Sequence, residues 1–493
     1  MSLPDLSAIN AASPARLRAF AQTLAAIGLT NVAVQPIVDA VKHLDPALRG
    51  PARAFHLRKL RNPLGYAMRM FLFEDPVTTD EARAALGDLT SDLHALGLLE
   101  ARDGGVVSPF VLGIADDLYL LSDALHRGDD AVMGLGETTI ALARAAFPRG
   151  RVARALDLGC GAGTCALLLA CAAASVVGTD LNPRAVTLAR ANAAINGVAN
   201  VEFREGDRFD PVRGEAFDLI VAQPPYVPRP DGAARASALY GGPVGDELAL
   251  SMLAAAPAHL TEGGRAVFIV EWPEHGDAPL EQRLRAAVGP GVDLLILRAP
   301  PTDLGAHAVA YASGFHPRLG AAFEADAIAR LEHLERAGIR ELTPTLVVLQ
   351  RRGDAPGRTS VVSIEPLARV AITSPRIDAM LAARALASSD AALLAATLRA
   401  PEGTVLSQVQ IGPGAEVPST LSARFSPAAA VSPIDLSMEL LFIVTAVHEA
   451  PTVAEGLARV AKAMEVAPEE MRASGLAAVK EALLYGLLEV GPA

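Results

Sequence analysis

The sequence predicts an α/β domain with a mostly parallel sheet, placed between two mostly helical regions. Between residues 109 and 355, apolar segments of strand length alternate with segments of helical periodicity. Buried strands that alternate with helices are typical of a parallel sheet covered on both faces. Residues 1–108 and 361–493 contain helical patterns without this alternation. The length agrees, because 493 residues correspond to about three domains of about 150 residues each.

The N-terminal region, residues 1–108, ends in the outline of a winged-helix module. Two short helical patterns precede Asp103-Gly104-Gly105, which suits a hairpin turn. Modules of this outline bind nucleic acid or other proteins, and the sequence leaves both open. Residues 46–73 carry six basic and no acidic side chains. The stretch 49–69 is therefore either a solvated helix face or a site for nucleic acid or another acidic partner.

The central region supplies the strands and helices of the predicted sheet. The strands are ARALDLGC, SVVGTDL, NVEFREGD, FDLIVAQPPY and GRAVFIVEW, and the helices between them are TCALLLACAA, PRAVTLARANAAING and ELALSMLAAAPAHL. The later segments VDLLILRAP and LTPTLVVLQRR, with the helix FEADAIARLEHLERAG between them, are expected to complete the sheet with an antiparallel edge pair. The polar stretch 351–360 is the predicted linker to the C-terminal helical accessory domain, residues 361–493.

Composition excludes several classes of protein. Apolar residues make up 51% of the chain and the formal net charge is −12. A wholly disordered chain would be more polar, and a chain that binds nucleic acid over its whole surface would be basic. The first 108 residues are neutral, with 11 basic and 11 acidic side chains. Net acidity therefore argues against nucleic acid only in the remainder of the chain.

Cysteine usage and hydropathy indicate a cytoplasmic protein without a membrane span. The three cysteines lie within twelve residues, so neither a disulfide framework nor a metal site is expected. Cys165 and Cys171 are expected to pack on a buried helix. The uncharged run 158–179 contains four glycines, which favours strand, turn, helix and strand over a membrane helix. The N-terminus lacks the pattern of a signal peptide.

The strongest chemical signal is the segment ALDLGCGAG, residues 155–163, in which an apolar strand ends in a glycine-rich turn. Gly159, Gly161 and Gly163 let the backbone turn tightly and approach a ligand closely. The dinucleotide pattern GxGxxG needs glycine or alanine at the next position, where this chain has Thr164. The turn therefore departs from the dinucleotide-binding pattern.

Two acidic residues follow the next strands of the predicted sheet. Asp180 ends the second strand, 21 residues after Gly159, where a carboxylate can accept hydrogen bonds from both ribose hydroxyls. Asp207 ends the third strand, where it is placed to meet an adenine amino group. The fourth strand ends in Gln223-Pro224-Pro225-Tyr226, and its prolines end the ladder and fix the backbone. A rigid carbonyl, an amide and an aromatic face are therefore expected beside the ligand.

In these motifs the sequence resembles the class I S-adenosylmethionine-dependent methyltransferases, in the branch with an (N/D/S)PP(Y/F) motif. It looks most like HemK-like release-factor glutamine methyltransferases and small-subunit ribosomal RNA guanine methyltransferases, over about residues 125–350. The segment ALYGGPVGDE, residues 238–247, is similar to that family's ALxGGxDG, and GETT, residues 136–139, loosely resembles its PETE. The resemblance implies a Rossmann-like class I methyltransferase domain at 109–355 and the cofactor S-adenosyl-L-methionine.

The resemblance also implies two sets of site residues. The cofactor-binding set is Asp157, Gly159, Gly161, Gly163, Asp180, Asp207 and Gln223. The three glycines would line the methionine part of the cofactor, and Asp157 would orient its amino group through the loop. Asp180 would hold the ribose, and Asp207 would hold the adenine. The catalytic set is Gln223, Pro224, Pro225 and Tyr226. There the Gln223 amide and the Pro224 carbonyl would accept hydrogen bonds from the acceptor NH2, and Tyr226 would stack on its plane.

Gln223 departs from the family pattern, which has Asn, Asp or Ser at this position. Glutamine keeps the carbonyl acceptor but places it about 1.5 Å further from the backbone. The implied reaction is methyl transfer to a planar amide or amino nitrogen. The amide of a protein glutamine side chain is the first choice of acceptor. An RNA base amino group and a small-molecule amine are alternatives. A cofactor-binding regulatory protein that kept the fold is the non-enzyme alternative.

Overall fold

The computed structural model forms two compact units and describes most of the chain. The described residues are 2–44, 48–233, 238–276, 278–316, 319–353, 355–366, 372–401, 405–408, 421–424 and 434–491. The first unit comprises residues 1–143, 150–294 and 301–358, and the second comprises 144–149, 295–300 and 359–493. The division after residue 358 lies in the polar stretch 351–360, whereas residue 108 lies within the first unit. The three-domain division stays a prediction.

The N-terminal part of the first unit combines short helices with two hairpins. Its helices are α1 (Ser7–Asn10), α2 (Pro14–Ala26), α3 (Asn31–Val41), α4 (Arg49–Leu57), α5 (Pro63–Ala67), α6 (Thr79–Leu86) and α7 (Leu89–Ala95). Its strands are β1 (Glu100–Arg102), β2 (Gly105–Val107), β3 (Val111–Ala115) and β4 (Leu118–Ser122), paired β1 with β2 and β3 with β4. Asp103 and Gly104 have φ of +51° and +73°, which the tight turn of the predicted hairpin requires. The winged-helix assignment stays a prediction.

The central part contains each of the five predicted strands and the helices between them. The strands are β5 (Val152–Leu158), β6 (Ala173–Asp180), β7 (Val201–Glu205), β8 (Phe217–Ala222), β9 (Val227–Pro228), β10 (Tyr240–Gly242), β11 (Leu260–Glu274), β12 (Val292–Arg298), β13 (Glu341–Arg351) and β14 (Thr359–Ser363). The helices are α8 (Glu137–Ala146), α9 (Thr164–Leu169), α10 (Pro183–Asn196), α11 (Glu247–Ala255), α12 (Leu280–Val288), α13 (Leu304–Phe315) and α14 (Ala321–Arg336).

The main sheet is mixed, with the order β14-β12-β13-β11-β8-β5-β6-β7. β5 pairs in parallel with both β6 and β8, and β13 runs antiparallel to β11, which confirms the predicted α/β class. β12 and β13 are neighbours as expected, but the edge strand on this side is β14. The chain moves outward from β5 in one direction through β6 and β7, and in the other through β8 and β11. The strand order therefore reverses at β5 and β8, and ligands of open α/β sheets bind at the carboxyl ends of such strands.

A shared core joins residues 1–108 to the central part of the first unit. Phe20 of α2 lies in the same buried cluster as Leu188 and Ile195 of α10. The buried Asn192 of α10 bonds both backbone groups of Leu121, accepting from its N–H at 2.8 Å and donating to its carbonyl at 2.9 Å. These contacts join non-adjacent segments, so sequence composition gives no sign of them.

The described part of residues 359–493 is mostly helical, as predicted. Its helices are α15 (Ser374–Ala387), α16 (Asp390–Ala395), α17 (Met438–His448), α18 (Val453–Met464) and α19 (Pro468–Tyr485). Its further strands are β15 (Leu398–Arg399), β16 (Val405–Gln408), β17 (Leu421–Arg424), β18 (Ile434–Leu436) and β19 (Glu489–Val490), paired β15 with β19 and β17 with both β16 and β18. Apolar residues of the helices form one buried cluster, to which Ile443, Val460 and Val479 contribute.

The helix lengths bear on two expectations about apolar segments. Within the described residues, no individual helix has the length and apolarity to span a membrane, and only the bent pair α2 with α3 does so when counted together. Cys165 is buried as expected, but the expectation that Cys171 is buried was wrong. Cys171 is exposed because α9 already ends at Leu169.

Candidate active site

A cavity of about 660 Å³ lies where the strand order reverses, and its size is that of a small-molecule site. It is lined by nearly all of the predicted site residues: Asp157, Gly159, Gly161, Asp180, Asp207, Gln223, Pro224, Pro225 and Tyr226. These residues come from the carboxyl ends of four strands, β5 to β8, and from the loops that follow them. The folded sheet thus brings together groups that are up to 69 positions apart in the sequence.

The glycine turn after β5 has two functions. Gly159, Gly161 and Gly163 have φ of +74°, +52° and +83°, so all three need glycine's freedom in the left-handed region. A Cβ on Gly159 would meet no atom within 4 Å, because this residue faces open space in the cavity. A Cβ on Gly163 would lie 3.0 Å from side-chain atoms of Ala189 and Phe203. Gly163 is therefore needed for packing at the start of α9 and is not part of the cavity lining.

Asp157 is buried beneath this turn, at the end of β5. Its Oδ2 accepts a hydrogen bond from the N–H of Ala166 at 2.8 Å, which ties the strand to the first turn of α9. Burial raises the pKa of Asp157 to about 7, with a further contribution from the nearby charge of Asp180. The carboxyl group therefore titrates near neutral pH, where a small change in its surroundings decides its charge.

The raised pKa predicts that Asp157 makes stability depend on pH. Between about pH 4 and pH 7 the Asp157 carboxyl group is protonated in the folded state but ionised in the unfolded state. The free energy of unfolding therefore falls as pH rises through this range, and it levels off above pH 7. At about 1.4 kcal/mol per pKa unit, the fall is about 4 kcal/mol. Urea unfolding of the wild type and of Asp157→Asn at pH 5 and pH 8 measures this fall in the free energy of unfolding. We expect the wild type to lose more stability than the variant, whereas equal losses would show that Asp157 titrates normally.

Asp180 holds the other side of the glycine turn. Its Oδ2 accepts from the N–H of Gly161 at 2.8 Å and its Oδ1 from the N–H of Asn182 at 2.9 Å. Burial raises the pKa of this carboxyl group. Each oxygen retains a second lone pair, so the carboxylate can accept further hydrogen bonds from a ligand.

Asp207 lines the cavity at a more exposed position. Its carboxylate forms an ion pair with the adjacent Arg208, 2.7 Å between Oδ2 and Nη2. Hydrogen bonds from this guanidinium lower the pKa of Asp207. Arg208, which also lines the cavity, has a φ of +48°. A ligand amino group must therefore share the Asp207 carboxylate with Arg208, a competition that the sequence motifs do not predict.

Gln223 is held by two threonines at the start of α8. Its Nε2 donates to Oγ1 of Thr138 at 2.8 Å, and its Oε1 accepts from Oγ1 of Thr139 at 3.0 Å. Both threonines belong to the GETT segment and line the same cavity. The longer side chain of glutamine is therefore anchored at its amide end, and Oε1 keeps one lone pair for a donor.

Tyr226 lies in the same turn as Gln223 and also lines the cavity. Burial raises the pKa of its phenol, and its ring packs with that of Tyr311 on the buried Val227 and Leu239. No sequence motif indicates Tyr311, which comes from α13, 85 positions later. Thr138 and Thr139 were indicated only weakly, by the loose resemblance of the GETT segment to PETE.

The ALYGGPVGDE segment packs directly on the Pro-Pro-Tyr turn. β10 pairs in parallel with β9, which follows Tyr226. A Cβ on Gly241 would lie 2.5 Å from the carbonyl oxygen of Pro225 and 2.1 Å from that of Gly245. Only glycine fits between these backbones.

We expect Gly241→Ala to displace this segment from the Pro-Pro-Tyr turn. Methyl transfer should fall about 10²-fold, since displacements of about 1 Å at a reacting site have such effects, while the cofactor still binds to the intact glycine turn. Calorimetric titration with S-adenosyl-L-methionine and a transfer assay measure both quantities. Gly50→Ala is the control, because a Cβ on this exposed glycine of α4 would meet no atom within 4 Å. Unchanged transfer in Gly241→Ala would show that the close packing of this segment has no part in the reaction.

The basic stretch 49–69 does not present all its charges to solvent. Arg58 and Arg69 both pair with Asp75, each at 2.7 Å. Arg49 donates to the carbonyl oxygen of Leu44 at 2.9 Å. Lys59 is exposed and lies over the ring of Phe55. Several of these basic side chains therefore have partners within the chain, which weakens the case for a phosphate-binding surface here.

Within the ranges that the structure describes, no group of three or more His, Cys, Asp or Glu side chains is arranged to hold a metal ion.

Comparisons with known proteins agree with this geometry. Residues 138–288 match the family "Methyltransferase small domain", and residues 43–109 match a domain of unknown function, DUF7059. The chain is 44% identical over 133 residues to the release factor glutamine methyltransferase of Xylella fastidiosa strain Temecula1. This alignment covers 24% of this chain and 48% of that protein. It is 40% identical over 116 residues to a putative protein N5-glutamine methyltransferase of Methanocaldococcus jannaschii, covering 22% of this chain and 57% of that protein.

A solved methyltransferase structure from Pyrococcus furiosus aligns with a TM-score of 0.28 at 18% identity, over 45% of this chain and 85% of that one. The chain spans about half the length of the curated relatives it matches. The similarity includes the glycine turn and the Gln-Pro-Pro-Tyr turn, because both lie within residues 138–288. Residues 138–288 of this chain are therefore similar to methyltransferases, and the curated relatives they resemble are glutamine methyltransferases.

Proposed function

We propose that the chain is an S-adenosyl-L-methionine-dependent N-methyltransferase that acts on the side-chain amide of a protein glutamine. The observation that carries this proposal is the cavity that both the glycine turn and the Gln-Pro-Pro-Tyr turn line. A cofactor site and a site for a planar nitrogen are thereby adjacent. The named activities of the relatives from Xylella fastidiosa and Methanocaldococcus jannaschii, both glutamine methyltransferases, support the choice of acceptor.

The residues present suit S-adenosyl-L-methionine. The space in front of Gly159 admits a ligand close to the backbone. Asp180 offers carboxylate lone pairs to ribose hydroxyl groups, and Asp207 offers them to the adenine amino group. The partly titrating carboxyl group of Asp157 lies under the turn, where a negative charge favours a cationic ligand. When bound, the cofactor supplies a methyl group on a positively charged sulfur.

The acceptor side compensates for the weak nucleophilicity of an amide nitrogen. The lone pair of this nitrogen is delocalised into the carbonyl group. Oε1 of Gln223 and the carbonyl oxygen of Pro224 can accept hydrogen bonds from its two N–H groups and stabilise the positive charge that develops there. The ring of Tyr226 provides a flat surface for the amide plane. The nitrogen would bond to the methyl carbon while the carbon–sulfur bond breaks and leaves its electron pair on sulfur. The nitrogen, which becomes positively charged, would then lose one proton to water, so a strong general base is not required.

One observation favours a protein acceptor over RNA. Arg49, Arg58 and Arg69 of the basic stretch have partners within the chain, so fewer charges remain for a phosphate backbone.

Transfer of tritiated methyl groups into cell extract tests this proposal. Extract is incubated with the protein and labelled S-adenosyl-L-methionine, then treated with RNase or with protease. We expect the label in large molecules to survive RNase and to be lost on protease treatment. The opposite result would show an RNA acceptor, and label confined to small molecules would show a small-molecule amine. Gln223→Ala protein in the same extract gives the background from endogenous enzymes.

A further inference from the structure

The first turn of α8 contacts the amide group of Gln223 at both of its polar ends. Oγ1 of Thr138 accepts a hydrogen bond from Nε2 at 2.8 Å, and Oγ1 of Thr139 donates one to Oε1 at 3.0 Å. All three side chains are half-buried and line the cavity. The polar end of the glutamine is thus held between hydroxyl groups that come from one turn of helix.

Thr139 also contacts the helix that follows the glycine turn. The N–H of Ile140 donates to the carbonyl oxygen of Gly136 at 3.1 Å, which closes the first turn of α8 around both threonines. The carbonyl oxygen of Thr139 lies 3.8 Å from Sγ of Cys165, a buried residue of α9. The position of Thr139 therefore depends on the same helix that begins at the proposed cofactor site.

A glutamine side chain needs such support if its oxygen is to face in one direction. Rotation of an amide group about the Cγ–Cδ bond is broad and roughly two-fold, so a free amide presents its NH2 group about as readily as its oxygen. An acceptor NH2 requires the oxygen, because two donors that face each other form no hydrogen bond. The hydroxyl groups of Thr138 and Thr139 bind opposite ends of the Gln223 amide and hold it in one plane.

We propose that Thr138 and Thr139 are positioning residues for the methyl acceptor, an inference that rests on the proposed function. They act through Gln223, because a fixed amide plane keeps the second lone pair of Oε1 available in one direction. A hydrogen-bond acceptor that is already oriented stabilises developing charge without reorganising during the reaction. Both threonines should therefore affect the rate of transfer more than the binding of cofactor or acceptor.

Variants that differ in one hydroxyl group test this role. Thr138→Val and Thr139→Val keep the β-branched shape and lose the hydroxyl, whereas Thr139→Ser keeps it. A purified release factor is the acceptor, and the dissociation constant of S-adenosyl-L-methionine is measured in parallel. We expect each Val variant to lower kcat about ten-fold, with KM for the acceptor and the cofactor dissociation constant changed less than about two-fold. Thr139→Ser should retain most of the activity that Thr139→Val loses.

A double-mutant cycle with Gln223→Asn shows whether Thr139 acts through the amide. The shorter asparagine does not keep the threonine contacts, so Thr139→Val should lower kcat less in this background than in the wild type. Losses that multiply in the double variant would overturn the positioning role alone. Full kcat of both Val variants, or a Thr139→Ser protein as slow as Thr139→Val, would also overturn it.

The control is Thr23→Val in α2. Its hydroxyl group donates to the carbonyl oxygen of Ala19 at 2.9 Å and lies outside the cavity lining. This variant also loses a half-buried hydroxyl, but its kcat should equal that of the wild type. Absence of transfer by the wild type would overturn the proposed function and this inference together.

Discussion

Gln223→Ala is expected to abolish nearly all methyl transfer while cofactor binding stays almost unchanged. The substitution removes the Oε1 acceptor and both hydrogen bonds to Thr138 and Thr139. Loss of one group that stabilises developing charge lowers turnover about 10²–10³-fold in other enzymes. Steady-state transfer to a release factor measures the loss, and calorimetry measures the dissociation constant of S-adenosyl-L-methionine, which should change less than about two-fold.

Two further variants serve as a control for Gln223→Ala and as a test of side-chain length. Gln282→Ala removes an exposed glutamine of α12 and should have wild-type activity. Gln223→Asn keeps an amide but shortens the side chain by about 1.5 Å. It is expected to have intermediate activity, since the shorter amide cannot keep both threonine contacts in place. If Gln223→Ala retained full transfer, the Gln223 amide would have no part in the mechanism.

Asp180→Ala is expected to weaken S-adenosyl-L-methionine binding about 100-fold. The carboxylate accepts the N–H groups of Gly161 and Asn182, and its remaining lone pairs are proposed to accept ribose hydroxyl groups. Hydrogen bonds to a charged group contribute about 1.5–3 kcal/mol each, and about 2.7 kcal/mol corresponds to 100-fold in affinity. Calorimetric titration of the purified variant measures the change.

Asp218→Ala is the matched control for Asp180→Ala. Asp218 also accepts two backbone N–H groups, those of Ala153 and Arg154, both at 3.0 Å. It lies at the start of β8, at the opposite end of the strand from the cavity. Both variants are expected to lower stability, but only Asp180→Ala should weaken cofactor binding. Equal affinities of the two variants would mean that Asp180 has no direct part in the cofactor site.

The central sheet and most of its cavity were predictable because their signals are local. The glycine turn, Asp180 and Gln-Pro-Pro-Tyr each end a strand, and the carboxyl ends of parallel strands meet at one edge of a sheet. Gly163 is the exception among the glycines. Gly163 has the same left-handed φ as the other two glycines, but it lies against Ala189 and Phe203 at the start of α9. A sequence motif does not distinguish a glycine that is needed for packing from one that lines a cavity.

The side chains that orient the acceptor site were not predictable in this way. Thr138 and Thr139 bond to Gln223 across more than 80 positions of the sequence. Tyr311, which also lines the cavity, comes from α13, a helix that the sequence periodicity does not reveal. The chain after residue 108 likewise shares a core with α2, through contacts between α2 and α10. Each of these contacts depends on the three-dimensional path of the chain.

The chemical form of the transferred label tests the proposed glutamine acceptor most directly. Protein labelled by the wild type with tritiated S-adenosyl-L-methionine is hydrolysed completely in acid. A methylated glutamine amide then releases its label as methylamine, which can be distilled from alkali and trapped in acid, whereas methylated Lys, Arg or His retains it. We predict that the label appears as methylamine and that Gln223→Ala protein yields none above background. Label that stays on a non-volatile amino acid or on RNA would contradict glutamine methylation by this chain.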